Sequence, residues 1–155
     1  MQKAGNKPDC ASTVCAAAGA EDIPKIMELM SGYKQDIGEE PLTQAQKAAL
    51  GAAIETGRIT FILAKRDGRA VGMCSVCETF STFQCASGGL FEDFYVLPMF
   101  RGQGVARRLA EAAFAHCRVR GIASLWVGCA DSDVKMYERL GFRIPLGRLL
   151  TWNGS

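Results

Sequence analysis

The chain has 155 residues, enough for one domain with its own core, and 48% of them are hydrophobic, which excludes a disordered chain. Eighteen basic residues against sixteen acidic ones leave a formal charge of +2 with no basic run, so no nucleic acid partner is expected. Seven cysteines, an odd number at irregular spacing, make a poor disulfide framework and point to reduced thiols and a cytoplasmic location.

Residues 1–13 read as a flexible N-terminal tail and 14–155 as a single domain, with no repeat and no linker. No stretch approaches the ~20 apolar residues of a membrane span, so no membrane partner is expected. In "EDIPKIMELM" the apolar residues 23, 26, 27 and 30 form a helical stripe, with Pro24 near its start. Thr43 and Gln46 make a capping-box pattern at the head of a second helix, and Gly57 offers its stop. "RITFILAKRDGRAVGMCSVCETF" is two strand-like runs joined through Asp67-Gly68, a strong hairpin signal. Within it Cys74 and Cys77 stand three apart, so on a strand they point to opposite faces and would not share a metal. No metal is expected.

"GGLFEDFYVLP" is a third strand, ended by Pro98. Alternation places Leu90, Glu92, Phe94 and Val96 on one face, and Phe91, Asp93 and Tyr95 on the other. Ala106, Leu109, Ala110, Ala113, Phe114 and Cys117 then mark one buried helical face, and Gly121 closes that helix. The lone His116 lies at the border of this face and reads as structural. "SLWVGC" is a strand, "DSDVKMYERLG" a short helix, and "FRI" and "RLLTW" two last strands. A hairpin followed by strand–helix–strand gives an α+β fold, with the strands flanking the crossover helix parallel.

Gly102 and Gly104 stand between the third strand and this crossover helix. Helix N-termini carry unpartnered N–H groups and positive potential, and glycines let the backbone close on an anion. "RGQGVA" therefore reads as a phosphate cradle. It is not a dinucleotide motif, because Arg107 stands where a third glycine belongs. Nor is it a P-loop, because Val105-Ala106 replaces the Lys-Ser/Thr pair. A tight turn at a helix entry is the plainer alternative.

Together "VLPMFRGQGVARRL" and "MYERLGF" resemble the GNAT acyltransferase superfamily. Arg101, Gly104 and Ala106 match its Arg/Gln-x-x-Gly-x-Gly/Ala signature, and Tyr137 to Phe142 match its Tyr-Glu-Lys/Arg-Leu-Gly-Phe run. The resemblance implies a mixed, mostly antiparallel sheet of six to seven strands flanked by about four helices. It implies acetyl-CoA as co-substrate. The amides of Gly102, Gln103, Gly104, Val105, Ala106 and Arg107 would hold the pyrophosphate, with Arg101, Arg107 and Arg108 nearby. Backbone groups of Phe94, Tyr95 and Val96 would pair with the pantetheine arm. "GGLFEDFYVLPMFRGQG" is similar to the diamine and thialysine acetyltransferase branch, which implies Glu92 as catalytic base, Tyr137 as general acid and a small-molecule amine as substrate. Glu28 and Thr82 are candidate substrate contacts. The chain departs from that branch at Thr82, Phe83 and Gln84, where an acid and a tryptophan are usual, and at Ala130, where the superfamily often has asparagine. A homodimer through the terminal strands is a further implication. The alternatives are a non-catalytic acyl-CoA-binding module and an acetyltransferase acting on a protein amine.

Overall fold

A computed structural model describes residues 13–152 and 154. The expected N-terminal tail lies outside the described residues, apart from Thr13. The strands are β1 (Val14–Ala17), β2 (Thr60–Arg66), β3 (Arg69–Ser81), β4 (Ala86–Val96) and β5 (Ser124–Val127). The helices are α1 (Ile23–Asp36), α2 (Gln44–Glu55), α3 (Val105–Arg120) and α4 (Val134–Leu140). The strands form one sheet in the order β1-β2-β3-β4-β5. Only β4 and β5 are parallel, because α3 carries the chain back between them.

Local sequence accounts for most element ends. Asp67 and Gly68 sit at φ 50° and 77°, as a two-residue hairpin turn requires. The Thr43 side chain accepts from the Gln46 amide at 3.2 Å, and the Gln46 side chain accepts from the Thr43 amide at 2.9 Å. This is the expected capping box, and it starts α2. Asp22, 3% exposed, fixes the start of α1 to the sheet. Its Oδ1 accepts from Lys25 at 2.7 Å and from Lys65 of β2 at 2.8 Å.

The sheet is covered on both faces. Against one face, α3 packs Val105, Leu109, Ala113 and Cys117 onto Ile62, Ala64, Val71 and Phe91. Against the other, α1 packs Ile26 and Leu29 onto Phe61, Leu63, Met73 and Tyr95, with Leu50 and Ile54 of α2 at the margin. Cys74 and Cys77 do diverge. The Cys74 thiol donates to the Leu109 carbonyl of α3, and that of Cys77 to the Arg58 carbonyl.

The expected sheet of six to seven strands is corrected to five among the described residues. "FRI" and "RLLTW" form no strand. Pro145, with no amide to donate, and Gly147, at φ 93°, interrupt the chain between the two runs, and neither run has a partner strand among the described residues. Ile144, Leu146, Leu149, Leu150 and Trp152 all remain exposed. In the other direction, β1 had no recognisable sequence pattern. It is four residues long and mostly exposed.

Candidate active site

After β4, Pro98–Phe100 make a single tight turn and the two glycines take the chain into α3. Gly102 and Gly104 lie at φ 71° and 80°, the left-handed region open to residues without a Cβ. No side chain caps α3, and its first backbone bond runs from the Arg108 amide to the Gly104 carbonyl. The amides of Val105, Ala106 and Arg107 precede that bond and face outward from the helix start. Ala106 and Arg107 border a cleft of about 350 Å³, which Met136, Arg139 and Leu140 of α4 also line.

The charged residues around the loop brace it. Arg101 donates from Nε to the Val96 carbonyl at 2.8 Å and to Asp36 at 2.7 Å. The structure thus places its guanidinium between β4 and the end of α1, over the Tyr95 ring. The Gln103 side chain donates to the Met99 carbonyl and accepts from Arg66 at 2.7 Å. Arg66, 9% exposed, also donates to Thr13 and lies over Phe100. Arg66 has no local signature, because an arginine closing a strand before a turn looks like an ordinary surface residue.

β4 is irregular where the chemistry is expected. It pairs with β5 only from Gly88 to Phe91, so the edge of residues 92–96 is open on that side. Against β3, Met73 faces Tyr95 and Ser75 faces Glu92, so β4 carries one extra residue. The bulge contains Asp93 at φ 51°. It shifts the alternation by one, which corrects the expected faces: Phe91, Phe94 and Val96 all join the α3 side, and Tyr95 the α1 side. Alternation before the bulge puts Glu92 on the face opposite Phe91, toward α1.

Three ionisable side chains, Glu92, Asp93 and Tyr33, converge there, while Tyr137 lies with the α3-side cluster. Glu92 is exposed, yet partial burial and then the Asp93 charge hold its carboxyl above the usual range. Burial raises Asp93 as well, against the hydrogen bond at 2.8 Å from the fully buried Ser75 hydroxyl. Tyr33 of α1 is raised by burial and then by the charges of Asp93 and Glu92. Tyr137 of α4, half-buried, sits 6.1 Å from Phe94 and 5.8 Å from Phe142, ring to ring. Burial, with smaller contributions from Cys129 and Tyr33, pushes its hydroxyl up to about 12.

Other expected residues lie elsewhere. Glu28 is exposed on the outer side of α1, away from the face of Ile26, Leu29 and Tyr33. Thr82 belongs to the β3–β4 turn, where its carbonyl accepts from Cys85. That turn is roughly 20 Å along β4 from Glu92, at ~3.3 Å per residue. Ala130 precedes the turn into α4. His116 lies beside Glu78 and Arg120 in a separate hollow of about 190 Å³, with burial lowering its pKa. Tyr33 and Ser75 escaped the sequence reading, since nothing local distinguishes a tyrosine on a buried helix face or a serine in an apolar strand.

The model of the acetyltransferase (GNAT) family matches residues 23–142, a span that includes both the glycine loop and Tyr137. The chain belongs to the GNAT acetyltransferase family. An uncharacterized N-acetyltransferase of Archaeoglobus fulgidus is 41% identical over 71 residues, 43% of this chain. That match spans 48% of the archaeal protein, about half its length. One of Bacillus subtilis is 24% identical over 133 residues, covering 84% of this chain and 89% of its own. Among solved structures, a Clostridium acetobutylicum acetyltransferase with acetyl-CoA superposes at TM-score 0.74, with 15% identity, covering 90% of this chain and 95% of that one. An aminoglycoside acetyltransferase from a soil metagenome, in complex with sisomicin, reaches 0.81 at 12% identity, over 92% and 96% of the two chains. These likenesses identify the fold. None singles out the diamine branch.

Proposed function

We propose that this GNAT protein moves an acetyl group from acetyl-CoA directly to a primary amine of a small molecule. The observation that carries this reading is the meeting, at one cleft, of an uncapped glycine-loop helix, the end of an open strand edge at Val96, and α4, the helix that carries Tyr137. The amides of residues 102–107 suit a pyrophosphate. The open edge of β4 suits an extended pantetheine arm, taken through Phe94 and Tyr95 because the Val96 carbonyl already serves Arg101. The Clostridium neighbour holds acetyl-CoA and the metagenomic one a small amine, which supports both halves of the reading.

An ammonium cannot attack a thioester, so its proton must leave first. Glu92 carries that proton out of the site to solvent, and a carboxyl held above its usual range is better matched to the task. The nitrogen attacks the carbonyl, and a backbone N–H on the open edge steadies the oxyanion. Tyr137 then protonates the departing thiolate. A hydroxyl pushed up to about 12 stays protonated near neutral pH and remains available as a donor. No acyl-enzyme is required, so no cysteine need act as a nucleophile. The exposed apolar tail further leads us to propose a homodimer.

The test is thiol release from acetyl-CoA with a panel of amines, for wild type and Tyr137→Phe. The substitution keeps the ring and deletes the donor, so kcat should fall about 10²-fold. Acetyl-CoA affinity should change only a few-fold. Equal losses in affinity and kcat/KM would make the hydroxyl a binding group instead. A wild type that binds acetyl-CoA but acetylates no amine would return the protein to the reading of a binding module.

A further inference from the structure

Asp93 is the one described non-glycine residue with positive φ that lies inside a strand; the other two, Asp67 and Cys85, are in turns. Such a backbone is strained and persists where the surroundings enforce it. Here Ser75 is part of that enforcement. Its hydroxyl is fully buried in β3 and donates to Asp93 Oδ2 at 2.8 Å. Asp93 Oδ1 has no protein donor, and among the described residues no fully buried side-chain oxygen or nitrogen lacks a partner, so Oδ1 reaches solvent. The bulge carries this carboxylate into the open stretch of β4, where Tyr33 faces it from α1. One oxygen is thus anchored and the other is offered to the site. Glu92, its neighbour, is the more exposed of the two.

Resting on the acetyltransferase reading above, we propose that Asp93, anchored by Ser75, receives the proton from the acceptor ammonium, and that Glu92 passes it to water. An N–H bond of the ammonium breaks and leaves its electron pair on nitrogen. An O–H bond forms at Asp93 Oδ1. The proton then moves to the Glu92 carboxylate and on to solvent, and Asp93 returns to its ionised form for the next cycle. Asp93 is the catalytic group in this scheme and Ser75 a positioning residue. The arrangement divides the work between an ordered acceptor inside the site and an exchangeable one at its rim.

The experiment measures thiol release with the full-length chain, using the best acceptor from a panel of a diamine, an amino acid and an amino sugar. Asparagine and glycine both tolerate the left-handed region, so Asp93→Asn and Asp93→Gly should keep the bulge. Both should lose about 100-fold or more in kcat, with the acetyl-CoA Kd within about threefold of wild type. Ser75→Ala keeps the Cβ and deletes the hydroxyl. The titratable groups around Asp93 are Glu92 on its own strand, Cys74 on β3 and Tyr33 on α1. None of these is altered by Ser75→Ala. The lost hydrogen bond lowered the Asp93 pKa, so the acid limb of kcat/KM should move to higher pH. That shift supports the proposal even if both Asp93 variants fail to fold. An unmoved limb in Ser75→Ala, or Asp93→Asn within threefold of an active wild type, would overturn it and leave the acetyltransferase reading standing. A wild type silent across the whole panel would bring down both.

Discussion

Under the proposed function, Gly104 is the residue on which acetyl-CoA binding should turn most directly. Its φ of 80° is open to glycine and strained by roughly 1–2 kcal/mol for a side-chain-bearing residue. A branched Cβ would also stand where phosphate oxygens must approach the α3 amides. Gly104→Val should therefore weaken acetyl-CoA binding at least tenfold, measured by calorimetric titration. An affinity equal to wild type would move the phosphate site away from this loop. Residues of this kind are legible in sequence because backbone geometry at a helix entry depends on local spacing. Glu92 and Tyr137 were singled out for a different reason, through the family run that each belongs to, and their proposed roles rest on that run. Asp93 was harder. Its position depends on a bulge set by pairing with β3, and the faces expected for Phe91 and Phe94 failed with it. Tyr33, Ser75 and Arg66 act through contacts with residues 37 or more positions away in the case of Arg66 and Gln103, and 18 in the case of Ser75 and Asp93. No local pattern encodes those.

At the scale of elements, helix caps and the hairpin turn were legible because a few adjacent residues determine them. The terminal strands were not, because strand formation needs a partner edge, and alternation alone does not supply one. The docking of α1 on the sheet falls between these cases. Pro24 and the apolar stripe announce the helix, yet its anchor is the long-range ion pair from Asp22 to Lys65 of β2. Hydrogen bonds from Lys25 and then Lys65 hold the Asp22 carboxyl at about 2, below its ordinary 3.8. A depressed carboxylate pKa stabilises the fold at pH above 3.8, and that contribution is lost as pH falls from there toward 2. Asp22→Asn should cost about 1.5–3 kcal/mol at neutral pH, the range for hydrogen bonds to a charged group. The gap between variant and wild type should close as the acid range is entered. Thermal melts at neutral pH and near pH 2 check this, and a gap independent of pH would show that packing, not charge, anchors α1.

At the scale of the whole molecule, the unresolved question is what covers the C-terminal tail. Ile144, Leu146, Leu149, Leu150 and Trp152 are each 70% exposed or more, within a stretch of nine residues. So much apolar side chain on one short segment is costly in water and marks a contact surface. The tail runs beside the edge of the sheet. β5 is paired on one side only, by β4, and the Leu149 side chain lies against Gly128, just past the end of β5. An unpaired edge next to an unpaired apolar segment is a template for adding a strand. In a second copy the same two features recur, so each tail can meet the other chain's β5 edge in a closed two-fold arrangement. Light scattering at micromolar concentration should give a mass near twice 16.7 kDa. Leu146→Lys with Leu150→Lys places charges on the tail without touching the glycine loop, β4 or Tyr137. That double variant should scatter as a single chain and keep its affinity for acetyl-CoA. A wild type of 16.7 kDa throughout the concentration range would remove the dimer.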